Sequence, residues 1–218
     1  MEKIDTIIWD WNGTLLNDTD ICIESINSLL DKRGLPLLDR KRYLENFDFP
    51  VIDYYKRIGF DFSVEPFEIP AMQYIELYSK KVKDSFLHKS TIDVLSFFKS
   101  KGFRQFILSA SEIGILEESI EYFNISHFFD GIAGLDNHYA TSKAQIGINL
   151  LKTHGINSKN VCLIGDTVHD YEVAQKMGCD CILIANGHQS VSRLRNTGTT
   201  VCENIDCTMG FFEKITVS

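Results

Sequence analysis

Cations are in the minority in this chain: 22 Lys and Arg face 30 Asp and Glu across 218 residues, for a net charge of −8. Nucleic-acid and anionic-membrane binders need a basic surface, so the balance argues against both classes. It leaves room for a small anionic substrate, met by a few placed cations, backbone N–H groups or a metal. No apolar run approaches the ~20 residues that a membrane span needs. The opening MEKIDTIIWDWNGTLL lacks the pattern of a secretory signal, because its apolar stretch is short and interrupted. A cytoplasmic location is therefore expected, with the six cysteines (Cys22, Cys162, Cys179, Cys181, Cys202, Cys207) reduced and mostly buried. Cys179 and Cys181 make a CxC pair with no second pair at zinc-ligand spacing, so they read as small apolar residues entering a strand. Repeats and low-complexity tracts are absent as well.

What is there is an ordinary globular composition, 44% hydrophobic and 24% charged, in a length that suits one large domain or one domain with an inserted module. Residues 4–9 are a compact apolar run ending at Asp10 and Gly13, the pattern of a buried strand followed by a turn. Ile23, Ile26, Leu29 and Leu30 mark a helix over 18–33, closed by Gly34 and Pro36. From 37 to 85 the chain keeps its helical character, with breaks expected at Pro50, Gly59, Pro66 and Pro70 and no convincing strand. After His88 the pattern changes. Helical segments over 91–101, 112–123, 142–154 and 171–177 alternate with apolar segments at 103–108, 131–134, 161–164 and 181–185. Such alternation predicts an α/β fold with a doubly wound parallel sheet. The expected division is an α/β core of residues 1–16 and 87–218, interrupted by an all-helical domain over 17–86.

Open α/β sheets bind ligands at the carboxyl ends of their strands. Those ends carry Asp10, Ser109 and Asp166 with Asp170, and a helix start adds Lys143. A carboxylate nucleophile, a hydroxyl, a lysine and an acidic pair together suit a phosphoryl group and a divalent cation. Asp10 and Asp166 would give hard oxygen ligands to Mg²⁺, while Lys143 and Ser109 would face phosphoryl oxygens. Taken singly, each has a plain reading. Asp10 suits a loop, Lys143 a solvated first turn, Asp170 a helix N-terminus, and Ser109 with Ser111 a helix-capping pair. His169 and His188 fall near the expected site edge and read as satisfied or exposed side chains.

The segment WDWNGTL at 9–15 resembles the DxDGT signature of the haloacid dehalogenase superfamily of phosphohydrolases. The order that follows is similar too: FILS ending at Ser109, SKAQ with Lys143, and LIGDTVHD with Asp166 and Asp170. The resemblance covers essentially the whole chain, leans toward the phosphoglycolate phosphatase-like group, and implies a Rossmann-like core with a small helical cap. It implies that Asp10 attacks phosphorus and becomes an aspartyl phosphate, which water then hydrolyses. It further implies Mg²⁺ on Asp10, Asp166 and the backbone carbonyl of Asn12, with Asp170 orienting metal-bound water or Lys143. Ser109, the N–H of Ala110 and Lys143 would hold phosphoryl oxygens of a small phosphorylated metabolite, and the cap would close over them.

One position departs from the pattern. The family's phosphatases carry a second Asp two residues after the nucleophile, to protonate the leaving oxygen and then activate water; here it is Asn12. An amide cannot shuttle a proton, although its backbone carbonyl still suits a metal. Slow hydrolysis, a good leaving group that needs no acid, or another residue serving as base would each suit this; good leaving groups are expected to be favoured, and Asn12→Asp should raise turnover of alkyl phosphates. Two alternatives stand beside the phosphatase: a catalytically weak phosphate- or partner-binding module, and a phosphotransferase or mutase. Retention of Asp166 and Asp170 argues against dehalogenation, which needs no Mg²⁺.

Overall fold

A computed structural model describes residues 4–135 and 142–216. The first strand, β1 (Thr6–Trp9), is buried on both faces, as an unbroken apolar run requires. After a tight turn comes β2 (Leu16–Asn17), then helices α1 (Thr19–Lys32), α2 (Arg40–Asn46), α3 (Val51–Arg57) and α4 (Glu68–Lys81), and the return strand β3 (Phe86–Leu87). The chain continues through α5 (Thr91–Ser100), β4 (Arg104–Glu112), α6 (Ile113–Tyr122), β5 (Gly131–Leu135) and α7 (Lys143–Thr153). It ends with β6 (Val161–Gly165), α8 (Val168–Met177), β7 (Asp180–Ile184), α9 (Val191–Arg195), β8 (Thr200–Cys202) and α10 (Cys207–Thr216).

Six strands form one parallel sheet in the order β5-β4-β1-β6-β7-β8. Residues alternate between two apolar layers. Ile7 and Trp9 pack with Val94, Phe98 and Leu116 of α5 and α6 on one face. Ile8, Leu108 and Leu163 pack with Leu151 and Val173 of α7 and α8 on the other. Each such side chain, taken fully from water, contributes about 1.5–3 kcal/mol before entropy is counted. The fold is thus a doubly wound α/β sheet. Its connections run outward from β1 through β4 to β5, then cross to β6, so the switch in direction lies between β1 and β6. Register aligns Trp9 with both Ile107 and Ile164, which brings the carboxyl ends of the three central strands to one level.

Between β2 and β3 the described chain is helical, with a core of its own. Ile26, Leu29 and Leu30 of α1 pack against Tyr43, Tyr54, Tyr55 and Phe60. None of the helices among the described residues is long and apolar enough to cross a membrane. Two local features differ from the sequence reading. Pro70 breaks nothing, because it occupies the third position of α4, where a missing N–H loses no intrahelical bond. The pair β2–β3 matches Leu16 with Leu87 and Asn17 with Phe86; two residues per strand leave too short a pattern to read. Five of the free cysteines are buried and Cys207 is exposed.

Candidate active site

Asp10 leaves β1 still tied to the sheet, its N–H donating to the carbonyl of Ile164 at 2.8 Å. The chain then turns sharply, with Trp11 O accepting from the N–H groups of Thr14, Leu15 and Leu16. Gly13 makes this turn at φ +75°, and a Cβ there would lie 2.3 Å from Asp166 Oδ2 and 2.4 Å from His188 Cδ2. Gly13→Ala combines that overlap with a left-handed backbone. It is expected to cost on the order of 2–4 kcal/mol, measured by urea unfolding, with loss of turnover.

Asp166 follows β6 across the crevice from Asp10. Its Oδ2 accepts from the N–H of His188 at 2.6 Å, and its Oδ1 accepts from Thr14 Oγ1 at 3.1 Å. Asp170 is the third residue of α8 and closes a capping box with Thr167. Its Oδ2 accepts from Thr167 and from Asp166 N, which leaves Oδ1 to accept from Lys143 Nζ at 2.6 Å. One carboxylate therefore starts a helix and positions the lysine. Lys143 is the first residue of α7, behind the N-cap Ser142, and its ammonium also donates to Asp10 Oδ1. Oxygens of Asp10, Asp166 and Asp170 all lie within 4.8 Å of one another, and all three residues are buried.

Ser109 and Ala110 come from a break in the β4 ladder. Leu108 pairs with Ala133 and Glu112 with Leu135, so Ser109, Ala110 and Ser111 stand opposite Gly134 alone. A bulge at a strand end releases backbone groups from the ladder and re-aims side chains. Here Ser109 Oγ accepts from Ser111 N at 3.0 Å, while Ser111 Oγ donates to Asn12 Oδ1 at 2.8 Å. The serines do not cap the next helix. Glu112 does, accepting from the N–H groups of Gly114 and Ile115.

Asn12 belongs to a second polar cluster that sequence reading did not foresee. Its Nδ2 donates to Asp18 Oδ2 at 2.8 Å and to the Tyr78 hydroxyl at 2.6 Å, and that hydroxyl donates to Asp18 Oδ2. Asp18 Oδ1 accepts from Gly13 N at 3.0 Å and from His188 Nε2 at 3.1 Å, while His188 Nδ1 meets the Tyr43 hydroxyl at 2.9 Å. Asp18 stands just before α1, where it looked like an ordinary helix start, yet its side chain makes no cap. Tyr43 and Tyr78 lie on α2 and α4, so the cluster joins the helical segment to the strand ends. His188 is buried and satisfied, whereas His169 is partly exposed and stacks on Phe49 at 4.6 Å.

Charge is densely packed here. Burial raises the Asp10 and Asp166 carboxyls; for Asp10 this outweighs the pull of Lys143. Burial alone would lower the Lys143 ammonium, but Asp10 and Asp170 outweigh it and hold the proton on. Burial would likewise lower His188, yet the charge and hydrogen bond of Asp18 push it up to about 9. Asp18 is held at about 2, the imidazolium and its hydrogen bonds overcoming burial. Asp18, Cys22 and His188 also converge. Asp18 and His188 form an ion pair there, beside a Cys22 thiol pushed up by burial. Asp10, Asp166 and Asp170, by contrast, offer hard oxygens with one ammonium among them. That donor set fits a divalent cation.

Asp10, Asn12, Ser109, Ala110, Lys143, Asp166 and Asp170 all line one cavity of about 460 Å³. Of the neighbours that sequence reading missed, Thr14 stands inside the first motif, and Asp18, Tyr43 and Tyr78 carry no spacing signal. The family model of the haloacid dehalogenase-like hydrolases matches residues 7–184. A 5'-nucleotidase of Pseudomonas aeruginosa is 23% identical over 197 residues, 87% of this chain and 86% of that protein. A phosphoglycolate phosphatase of Aliivibrio fischeri is 23% identical over 105 residues, 48% of this chain and 46% of its own. Among solved structures, a haloacid dehalogenase-like hydrolase from Streptococcus pneumoniae superposes with a TM-score of 0.76 at 22% identity, covering 97% of this chain and 100% of that one. At that identity the last likeness concerns the fold.

Proposed function

This chain belongs to the haloacid dehalogenase-like hydrolase family, and from that premise we propose that it is a phosphatase working through a phosphoryl group carried on Asp10. A carboxylate oxygen of Asp10 attacks phosphorus, the bond from phosphorus to the alcohol oxygen breaks, and water then releases phosphate from the acyl phosphate. Lys143 orients Asp10 through Oδ1 and, held in turn by Asp170, offsets charge on the transferring group. Ser109 Oγ and the N–H of Ala110, freed by the bulge, hold the non-bridging oxygens. Asp10, Asp166, Asp170 and the Asn12 carbonyl would hold a divalent cation, with Mg²⁺ the choice that oxygen donors favour; when bound it would neutralise the carboxylates and polarise the phosphoryl oxygens.

The observation that carries the proposal is the convergence of Asp10, Lys143, Asp166 and Asp170 at the crevice between β1 and β6. Residues 17–86 serve as the cap in this scheme, hinged at the β2–β3 pair, with Tyr43 latching it to His188 and Tyr78 latching it to Asn12. The core is then 1–16 and 87–218. Asn12 favours one second reading: with no carboxylate there to activate water, an acceptor alcohol can compete for the phosphoryl group.

A screen of phosphomonoesters with Mg²⁺ tests the proposal, followed by acid quenching and mass analysis. Turnover should vanish on chelation and return with the metal, and a phosphoryl adduct should map to the peptide containing Asp10. Chelation-resistant turnover, or an adduct elsewhere, would overturn it. Product analysis with an added sugar separates transfer from hydrolysis.

A further inference from the structure

We infer that the alcohol released at this site is uncharged and carries a flat apolar or aromatic group, and that phosphoesters bearing a second anion are poor ligands. The inference rests on the reading of Asp10 and its neighbours as the phosphoryl site, and extends it to the other end of the substrate.

A cavity of about 460 Å³ falls in the range that holds a whole small molecule, well beyond a phosphoryl group with two carbons attached. Its floor is the polar cluster at the strand ends. The wall above is apolar and comes from the helical segment: Phe47, Phe49, Ile52, Phe67, Met72 and Ile75. Most of these side chains are half-buried, and Met72 remains 52% exposed, so the wall keeps apolar surface in contact with water until something covers it. Its rings are already arrayed edge to face. Phe47 meets Phe49 at 5.5 Å and Tyr54 at 5.4 Å, and Phe49 stacks on His169 of α8. The aromatic wall therefore runs unbroken from the helical segment to the phosphoryl floor, the setting in which a ligand ring is sandwiched.

Charge decides against a second anion. Among the described residues that line the cavity, Lys143 is the one Lys or Arg, and it is committed to Asp10 and Asp170. Away from the floor the charged side chains of the wall are Glu68 and Glu112, both acidic. A divalent cation and a phosphoryl dianion cancel each other, so the wall stays negative with both in place. A carboxylate or second phosphate on the leaving group would be desolvated there with no Lys or Arg among the described wall residues to receive it, and the His188 imidazolium on the floor is taken by Asp18.

Calorimetric titration of the full chain in Mg²⁺ with methylphosphonate, benzylphosphonate and 4-(phosphonomethyl)benzoate tests this. Benzylphosphonate should bind roughly tenfold or more tightly than methylphosphonate, from apolar burial and ring contacts. The added carboxylate should cost about tenfold or more. Met72→Lys should invert the order of the last two. Equal binding of methyl and benzyl compounds, no binding of any, or a preference for the carboxylated one would overturn the inference. Ethyl phosphate, benzyl phosphate and 4-(phosphooxymethyl)benzoate are assayed in parallel. If none turns over while the phosphonate order holds, the hydrolytic reading fails and the ligand class stands. If all turn over and the carboxylated ester is preferred, the ligand class fails and the phosphatase stands.

Discussion

Asp10→Asn should lower phosphomonoester turnover by at least about 10⁴-fold, the scale on which a lost nucleophile differs from a lost helper. An amide oxygen at that position is a poor nucleophile, and among the described residues no other carboxylate is placed to replace it: Asp166 is engaged by His188 and Thr14, and Asp170 by its own helix cap and Lys143. The same substitution should leave the fold as stable as before or more so, by about 1 kcal/mol. Asp10 is a buried carboxylate beside two others, and burial pushes its carboxyl up, so the ionised form is tolerated rather than stabilising. Lys143 keeps Asp170 as a partner in the variant. Parallel steady-state assays and urea unfolding check both halves. Turnover within tenfold of the parent would assign the chemistry to another group, and an unfolded variant would leave the loss of activity without mechanistic meaning.

The pairing of lost activity with retained stability reflects how the site is built. Strand ends bring charged groups together because the sheet is parallel and its register is fixed by two apolar layers, not because the charges attract. That is why the site's frame was legible in the sequence. Asp10, Ser109 and Asp166 each follow an apolar run that only a buried strand explains, Asp170 falls in the first turn of the next helix, and Lys143 opens a helix with clear amphipathic spacing. Legibility ends where the geometry depends on side chains from elements distant in sequence. Asp18 and Tyr78 are 60 residues apart and meet through one hydroxyl, which no periodicity encodes. The β4 strand was expected to stop at Leu108; it continues past a bulge because Gly134 lets the Ser111 backbone approach, a contact that a Cβ would bring to 2.8 Å. The C-terminal elements α9, β8 and α10 carried too short or too mixed a pattern to read, and packing against the sheet and α5 decides them.

Asn12 is where motif and structure lead to different expectations. From the motif alone, Asn12→Asp restores the proton-transfer carboxylate and should speed alkyl phosphates. The structure puts Asn12 Nδ2 2.8 Å from the fully buried Asp18 carboxylate, so a carboxylate there would set two anions face to face. The new carboxyl must then keep its proton on Asp18 or force the cluster apart, and in neither state is it a free base. Asn12→Asp is therefore expected to cost about 1–3 kcal/mol of stability and to give little gain on alkyl phosphates. Asp18→Asn alone should also destabilise, by about 3 kcal/mol, because it leaves the His188 imidazolium without its anion. Combining the two exchanges donor and acceptor: the new amide at position 18 can donate to an ionised carboxylate at position 12 and accept from His188. The double variant should recover about 2 kcal/mol relative to the sum of the singles. It should also turn over ethyl phosphate up to about 10²-fold faster than Asn12→Asp alone, with a smaller gain on p-nitrophenyl phosphate, whose leaving group needs no acid. A double-mutant cycle in urea unfolding and in turnover of both esters measures the coupling. Additive stabilities would mean that Asn12 and Asp18 do not share the hydrogen bond. A hundredfold gain from Asn12→Asp alone would mean that the carboxylate fits without rearrangement, and that pairing with Asp18 is not why an amide stands there.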